Sequence, residues 1–165
     1  MENRCEELKH YLKPGTHVHL VGIGGVSMRA LGLVLKGMGV AVTGSDMNSS
    51  GSTEELIAQG IPVSIGHRAE NIDGAACVIR TAAVHNDNPE IAAARAAGVP
   101  VFERAQAWGA IMQAYRNAVC ISGTHGKTTT TSMVTHILME AQWDPTVMIG
   151  GYLPMLQGGH RVGKG

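Results

Sequence analysis

Twice in this chain an apolar run of strand length breaks into glycines and gives way to a helical pattern. The first break, Gly22-Ile23-Gly24-Gly25-Val26-Ser27, follows the apolar residues 18–21. The second, Gly123-Thr124-His125-Gly126-Lys127-Thr128, follows the apolar residues 118–122. Strands that feed helices in this way imply a parallel sheet with helices on both faces.

Around these loops the alternation continues. In residues 27–38, Leu31, Val34, Leu35 and Met38 recur at helical spacing, and Gly39 stands where a helix C-cap belongs. Residues 40–44 form a second strand that ends at Ser45-Asp46. Ser52-Thr53-Glu54-Glu55 fits a capping box, with Ser52 as N-cap and Glu55 three residues on, and predicts a helix to about Gln59. Residues 63–65 and 77–81 are further strands. Asn88 caps, and Pro89 opens, an Ala-rich helix that ends before Gly98. Residues 101–102 are a short strand and 105–115 a helix. After Tyr115-Arg116-Asn117 the pattern restarts with a strand at 118–122, a helix at 128–141 and a strand at 147–149, and then a Gly-rich tail, 158–165, read as loop. The expected architecture is α/β: a Rossmann-like parallel sheet flanked by helices over residues 1–115, followed by the first elements of a P-loop ATPase-type domain over 116–165. Three elements do not close a second domain, so the chain is expected to belong to something longer.

Composition narrows the function. Lys plus Arg and Asp plus Glu are both 13, so no basic field exists to hold nucleic acid or an anionic membrane. Hydrophobic residues at 44% against 16% charged support a buried core rather than disorder. Glu2, Arg4, Glu6, Glu7 and Lys9 are foreign to a secretory signal, and no apolar run approaches the ~18 residues that span a bilayer. Cys77 and Cys120 lie in apolar runs and are expected to be small buried hydrophobes of a reduced, cytoplasmic protein.

The two loops carry the chemistry. In the first, glycines let the backbone approach a pyrophosphate, whose charge sits against the helix N-terminus. Ser27 replaces the third glycine of the dinucleotide fingerprint. Asp46, 24 residues beyond Gly22, stands about where a ribose-binding acid belongs. Alone, this loop suggests NAD; the bland alternative is a turn that packs a helix on a strand. In the second loop, backbone N–H groups cradle phosphates, Lys127 reaches the β/γ oxygens and the Thr128 hydroxyl ligates Mg²⁺. The usual glycine five residues before the Gly-Lys pair is Ile121 here, which makes this a shortened variant. His17 and His19 share a face of the first strand, but no third ligand follows at a recognisable spacing, which argues against a metal. His125 either touches phosphate or holds the turn. No local motif forms a Ser–His–Asp or Cys–His set.

The run from Cys120 to Thr131 around that second loop resembles the ATP loop of the Mur ligases, shortened glycine spacing included. Val21-Gly22-Ile23-Gly24-Gly25 with Met28 resembles the first loop of the family's alanine-adding member. Gly44-Ser45-Asp46, Gly66-His67, Asp87-Asn88-Pro89-Glu90, Asp144-Pro145-Thr146 and Gly150-Gly151 follow in the order expected of it, so the resemblance covers nearly all of residues 16–151. Ser27 stands where the family usually has Gly, and Thr81-Ala82-Ala83-Val84 where a Ser-Ser-Ala-Ile-type stretch is common. The resemblance implies an ATP- and Mg²⁺-dependent, amide-forming ligase of three domains, which bind UDP-N-acetylmuramic acid, ATP and L-alanine in turn. It implies a reaction in which the sugar's carboxylate is phosphorylated by ATP to an acyl phosphate and the alanine amine displaces phosphate. It further implies that Gly22, Ile23, Gly24, Gly25, Val26, Ser27, Ser45, Asp46, His67, Thr81 and Ala82 hold the UDP-sugar. Gly123, Thr124, His125, Gly126, Lys127, Thr128 and Thr129 hold ATP, with Lys127 and Thr128 catalytic and Thr128 on the metal.

Two alternatives remain open: a family member that attaches a ready-made peptide to UDP-N-acetylmuramate, and an NAD-dependent oxidoreductase. A non-catalytic nucleotide-binding module is a further reading. The chain alone is expected to be inactive, since neither a later acidic Mg²⁺ ligand nor an alanine domain lies within it. The apolar face of Met133, Ile137 and Leu138 is expected to pack on the first domain, pair with another chain or stay mobile.

Overall fold

The computed structural model describes residues 2–164, so Met1 and Gly165 of the sequence lie outside the described residues. The chain divides into two compact units, Met1–Met112 and Gln113–Gly165.

The first unit is a five-stranded, all-parallel sheet of order β3-β2-β1-β4-β5, made of β1 (His17–Val21), β2 (Ala41–Asp46), β3 (Val63–Ile65), β4 (Cys77–Arg80) and β5 (Val101–Glu103). Its helices are α1 (Glu2–Lys9), α2 (Val26–Gly37), α3 (Gly51–Ala58), α4 (Pro89–Ala96) and α5 (Arg104–Met112). The expected α/β class is what the chain adopts. Strand order reverses beside β1, so right-handed crossovers carry α2 and α3 to one face and α4 to the other. Alternation along β1 serves both faces: Leu20 lies beneath Gly32 of α2, whereas Val21 packs with Ile91 and Ala94 of α4. The central strand is therefore apolar except at His17, at its start, and His19.

α2 buries seven residues, Met28 and 30–35, because it lies across the middle of the sheet. Gly39 follows it at φ +85°, a left-handed terminator in keeping with the expected C-cap region. Asn88 caps α4 as expected, its side chain accepting from the amides of Glu90 and Ile91.

Several expectations need correction. The capping box of α3 belongs to Ser50 and Thr53, not to Ser52 and Glu55. Ser50 is extended (φ −154°, ψ 164°), its Oγ accepts from Thr53 N, and Thr53 Oγ1 takes the Ser50 amide. Ser52 and Glu55 instead receive Arg29 from α2, at 3.4 and 2.7 Å. The charged N-terminus, read only as excluding a signal, forms α1. This helix buries Leu8, and its Arg4 lies over the Phe102 ring at 4.5 Å.

In the second unit the helix is α6 (Lys127–Glu140), and a two-stranded antiparallel sheet pairs β6 (Val147–Leu153) with β7 (Gly158–Arg161). Residues 118–122 are not a strand: no described neighbour offers them a hydrogen-bonding edge, and Val119 is exposed. Cys120, expected to be buried, is exposed for the same reason, whereas Cys77 in the middle of the sheet is buried. Residues 158–161 of the Gly-rich tail are β7 rather than loop, whereas 162–164 are loop as expected. The strand closes on β6 through Arg161, which bonds to Asp144 and to the Pro145 carbonyl. Lys164 N and Arg161 together hold the Asp144 carboxyl below the usual carboxylate range.

Candidate functional site

The first glycine loop hangs on the end of β2. The amides of Gly22 and Ile23 both donate to the Ser45 carbonyl, at 2.8 and 2.9 Å, and Gly24 N donates to Asp46 Oδ2 at 2.9 Å. Glycine is required here by space: a Cβ at Gly22 (φ +81°) would meet Thr81 Cγ2 at 2.7 Å, and one at Gly24 would meet Asp46 Oδ2 at 2.8 Å. Beneath the loop, Ile23 fills the room above Gly44, where a Cβ would come within 2.5 Å of it. Gly25, the N-cap of α2, has no side chain to offer, so the first-turn amides from Val26 onward face out with the helix dipole behind them. Ser27 accepts from Trp108 Nε1 at 3.3 Å and joins the loop to α5.

Behind the loop lies a polar cluster buried in the sheet. Glu90, in the first turn of α4, has no exposed surface, and its Oε2 accepts from Ser45 Oγ at 2.7 Å. Nδ1 of His67 is 3.3 Å from the same carboxylate oxygen and 3.2 Å from Ser45 Oγ. Asn71 donates to Oε1 and also to the Gly66 carbonyl at 3.0 Å. His19 Nε2 approaches Oε2 only to 3.7 Å and has no hydrogen-bond partner among the described residues. Burial pushes the Glu90 carboxyl up, but His19, Ser45 and Asn71 outweigh it and hold the pKa at about 2. His17 and His19 do share a face, as expected, and both reach the Thr43 hydroxyl at 2.8 Å. Among the described residues, no group of three or more His, Cys, Asp or Glu side chains is placed to hold a metal.

His67 also lines a cavity of about 400 Å³, together with Met47, Val84, His85, Asp87 and Asn88. The sequence-predicted residues of this half thus converge: Gly22 to Ser27, Ser45, Asp46 and Thr81 through the loop, and His67 through Glu90. Ala82 is exposed in the turn after β4. Glu90 was missed as a site residue, although it belongs to the Asp87-Asn88-Pro89-Glu90 run. Its one legible signal is an acid in the first turn of a capped helix, which usually means only a favourable dipole.

The second loop enters α6. Gly126, its N-cap, is left-handed at φ 78°, and Gly123 lies at φ 157°. Lys127 folds back, its Nζ on the carbonyls of Gly123 and, at 3.1 Å, Thr124. The hydroxyls of Thr131, Ser132 and Thr135 are spent on carbonyls one turn back, at 2.7, 2.9 and 2.8 Å. Thr128 makes no such bond, so its hydroxyl is open to a hard cation, which fits the Mg²⁺ role. Thr124, His125 and Thr129 are exposed. Such a loop offers unpaired amides, an ammonium and a free hydroxyl to a polyphosphate.

Known proteins resemble this chain over most of its length. A UDP-N-acetylmuramate–L-alanine ligase from Lachnospira eligens is 51% identical over 148 residues, covering 89% of this chain and 32% of that protein. The chain therefore spans about a third of the length of the curated relatives it matches. The crystal structure of a UDP-N-acetylmuramate-alanine ligase from Thermotoga maritima superposes with a TM-score of 0.84 at 38% identity, over 90% of this chain and 35% of that one. A murein peptide ligase from Psychrobacter arcticus superposes at 0.82 and 29% identity, over 91% of this chain and 34% of that one. The profile described as "Mur ligase family, catalytic domain" matches residues 17–116, and the chain belongs to the Mur ligase family.

Proposed function

We propose that this chain supplies the UDP-N-acetylmuramate-binding domain and the ATP phosphate loop of a cytoplasmic UDP-N-acetylmuramate–L-alanine ligase of peptidoglycan synthesis. The observation that carries the reading is the presence, in one chain, of two differently built phosphate loops. One is suspended from Ser45 and Asp46, and the other is headed by Lys127 and Thr128. An oxidoreductase has no use for the second.

In this assignment residues 1–115 bind the UDP-sugar and 116–165 begin the ATP domain, a division supported by the two compact units. The open amides of α2, with Ser27, receive the pyrophosphate; Ser45, Asp46, His67, Thr81 and Ala82 surround the rest of the nucleotide-sugar. Gly123 to Thr129 wrap the ATP phosphates, Lys127 neutralises developing charge, and Thr128 holds Mg²⁺. ATP supplies the phosphoryl group that converts the sugar's carboxylate to an acyl phosphate, with ADP leaving, and the amine of L-alanine then attacks the acyl carbon and displaces phosphate to form the amide. A peptide-adding ligase is the second reading, favoured only by the murein peptide ligase fold and disfavoured by its identity, 29% against 38%.

Calorimetry of this chain with UDP-N-acetylmuramic acid and, separately, NAD tests the assignment. Heat of binding is expected with the first and none with the second. Tight NAD binding with no response to the UDP-sugar would overturn it.

A further inference from the structure

The cluster around Glu90 has a polarity that can be worked out atom by atom. Held ionised, the carboxylate only accepts. Ser45 Oγ has one proton, and at 2.7 Å it goes to Glu90 Oε2. His67 Nδ1 therefore faces two oxygens, Ser45 Oγ at 3.2 Å and Glu90 Oε2 at 3.3 Å, and neither has a proton left to give it. An unprotonated Nδ1 would set its lone pair against a buried carboxylate. So Nδ1 carries the hydrogen, and in the neutral ring Nε2 must be the acceptor. Nε2 has no hydrogen-bond partner among the described residues, and His67 lines the cavity.

We propose that Glu90 is a positioning residue for the UDP-sugar site: through Ser45 and the imidazole of His67, it fixes His67 as the Nδ1–H tautomer and so presents Nε2 to the cavity as an acceptor for a hydroxyl or N–H of the bound nucleotide. The same carboxylate steadies Ser45, whose carbonyl suspends the Gly22 and Ile23 amides, so one buried acid aligns both the cavity wall and the phosphate loop. This rests on the UDP-sugar reading above for the identity of the ligand, but the tautomer does not.

Long-range ¹H–¹⁵N correlation spectra of the histidine rings in the ligand-free chain at pH 8 read the tautomer directly, with His67 assigned by its loss in His67→Asn. The expected result is a protonated Nδ1 and a bare Nε2; a protonated Nε2 in the wild-type chain would overturn the proposal whether or not any nucleotide binds. Glu90→Gln is expected to mix the tautomers and to weaken UDP-N-acetylmuramic acid binding by about tenfold. His67→Asn keeps a donor to Glu90 but removes the acceptor at the Nε2 position, which its shorter side chain does not reach, so it is expected to fold like wild type and lose a similar factor. If Glu90→Gln unfolds, the wild-type spectrum and the Asn variant decide. Unchanged affinity in a folded His67→Asn, while wild type binds, would refute the acceptor role. Failure of the wild type to bind at all would refute the ligand assignment and leave the tautomer result to judge Glu90.

Discussion

At Asp46 one carboxylate oxygen is taken by Gly24 N and the other lies 3.4 Å from Asn48 N, so the residue is a strut for the glycine loop. Sequence spacing places an acid there but does not say which partner it meets. Glu90 is the stronger case, because it combines full burial with a carboxyl held at about 2 against an ordinary 4.5. A depressed folded-state pKa adds stability that is present above 4.5 and is lost as pH falls from there through about 2. Urea unfolding of the wild type should therefore weaken across that window, by on the order of 3 kcal/mol from this group. Glu90→Gln should be less stable at neutral pH yet show a flatter acid limb. An equally steep limb in the variant would place the acid sensitivity elsewhere. At Cys77, by contrast, burial pushes the thiol up to about 12, which makes it inert packing.

At the scale of elements, the first unit was legible wherever burial and periodicity coincide. β1, α2 and α4 fall within a residue or so of their sequence-based bounds, because each is pinned by buried apolar residues, with Gly39 closing α2 and Asn88 capping α4. α3 was found but its cap was displaced by two residues, since Ser50, Ser52 and Thr53 are alike in type and only the extended φ of Ser50 separates them. Ser50→Ala should thus cost about 1 kcal/mol, and Ser52→Ala clearly less, in thermal unfolding of the chain. Equal losses would return the cap to Ser52. Pairing is what one sequence does not display. Residues 118–122 have strand composition without a described partner, and β7 has glycines and charges but finds β6. The site was legible as two loops; the Glu90 hub was not, because residues 19, 45, 67, 71 and 90 meet only through the sheet order.

For the molecule as a whole, the two loops reside in different compact units, so the functions proposed for them should be separable. In the complete enzyme, Lys127→Ala should abolish alanine-dependent phosphate release by removing charge from the β/γ-phosphates, while UDP-sugar affinity stays within about twofold. A folded variant that loses the sugar would show the roles to be wrongly divided. The units should also differ in stability. The first has a sheet covered by α2 and α4, with Leu20, Leu31, Leu35, Ile79 and Ile91 fully buried. In the second, α6 buries only Thr135, while Met133 and Ile137 are 62% and 66% exposed. Among the described residues of the second unit, Val147, Ile149 and Leu153 form a small core cluster with Leu156. Local opening follows buried apolar contact, so amide exchange in α6 should run at least ~100-fold faster than in α2 and β1. MgATP, bound by the open amides and Thr128, should slow exchange at the start of α6 and leave α2 unchanged. UDP-N-acetylmuramic acid should do the reverse. Matching protection of α6 and α2 in the ligand-free, monomeric chain would refute the stability difference, and MgATP protection at α2 would contradict the assignment of the loops.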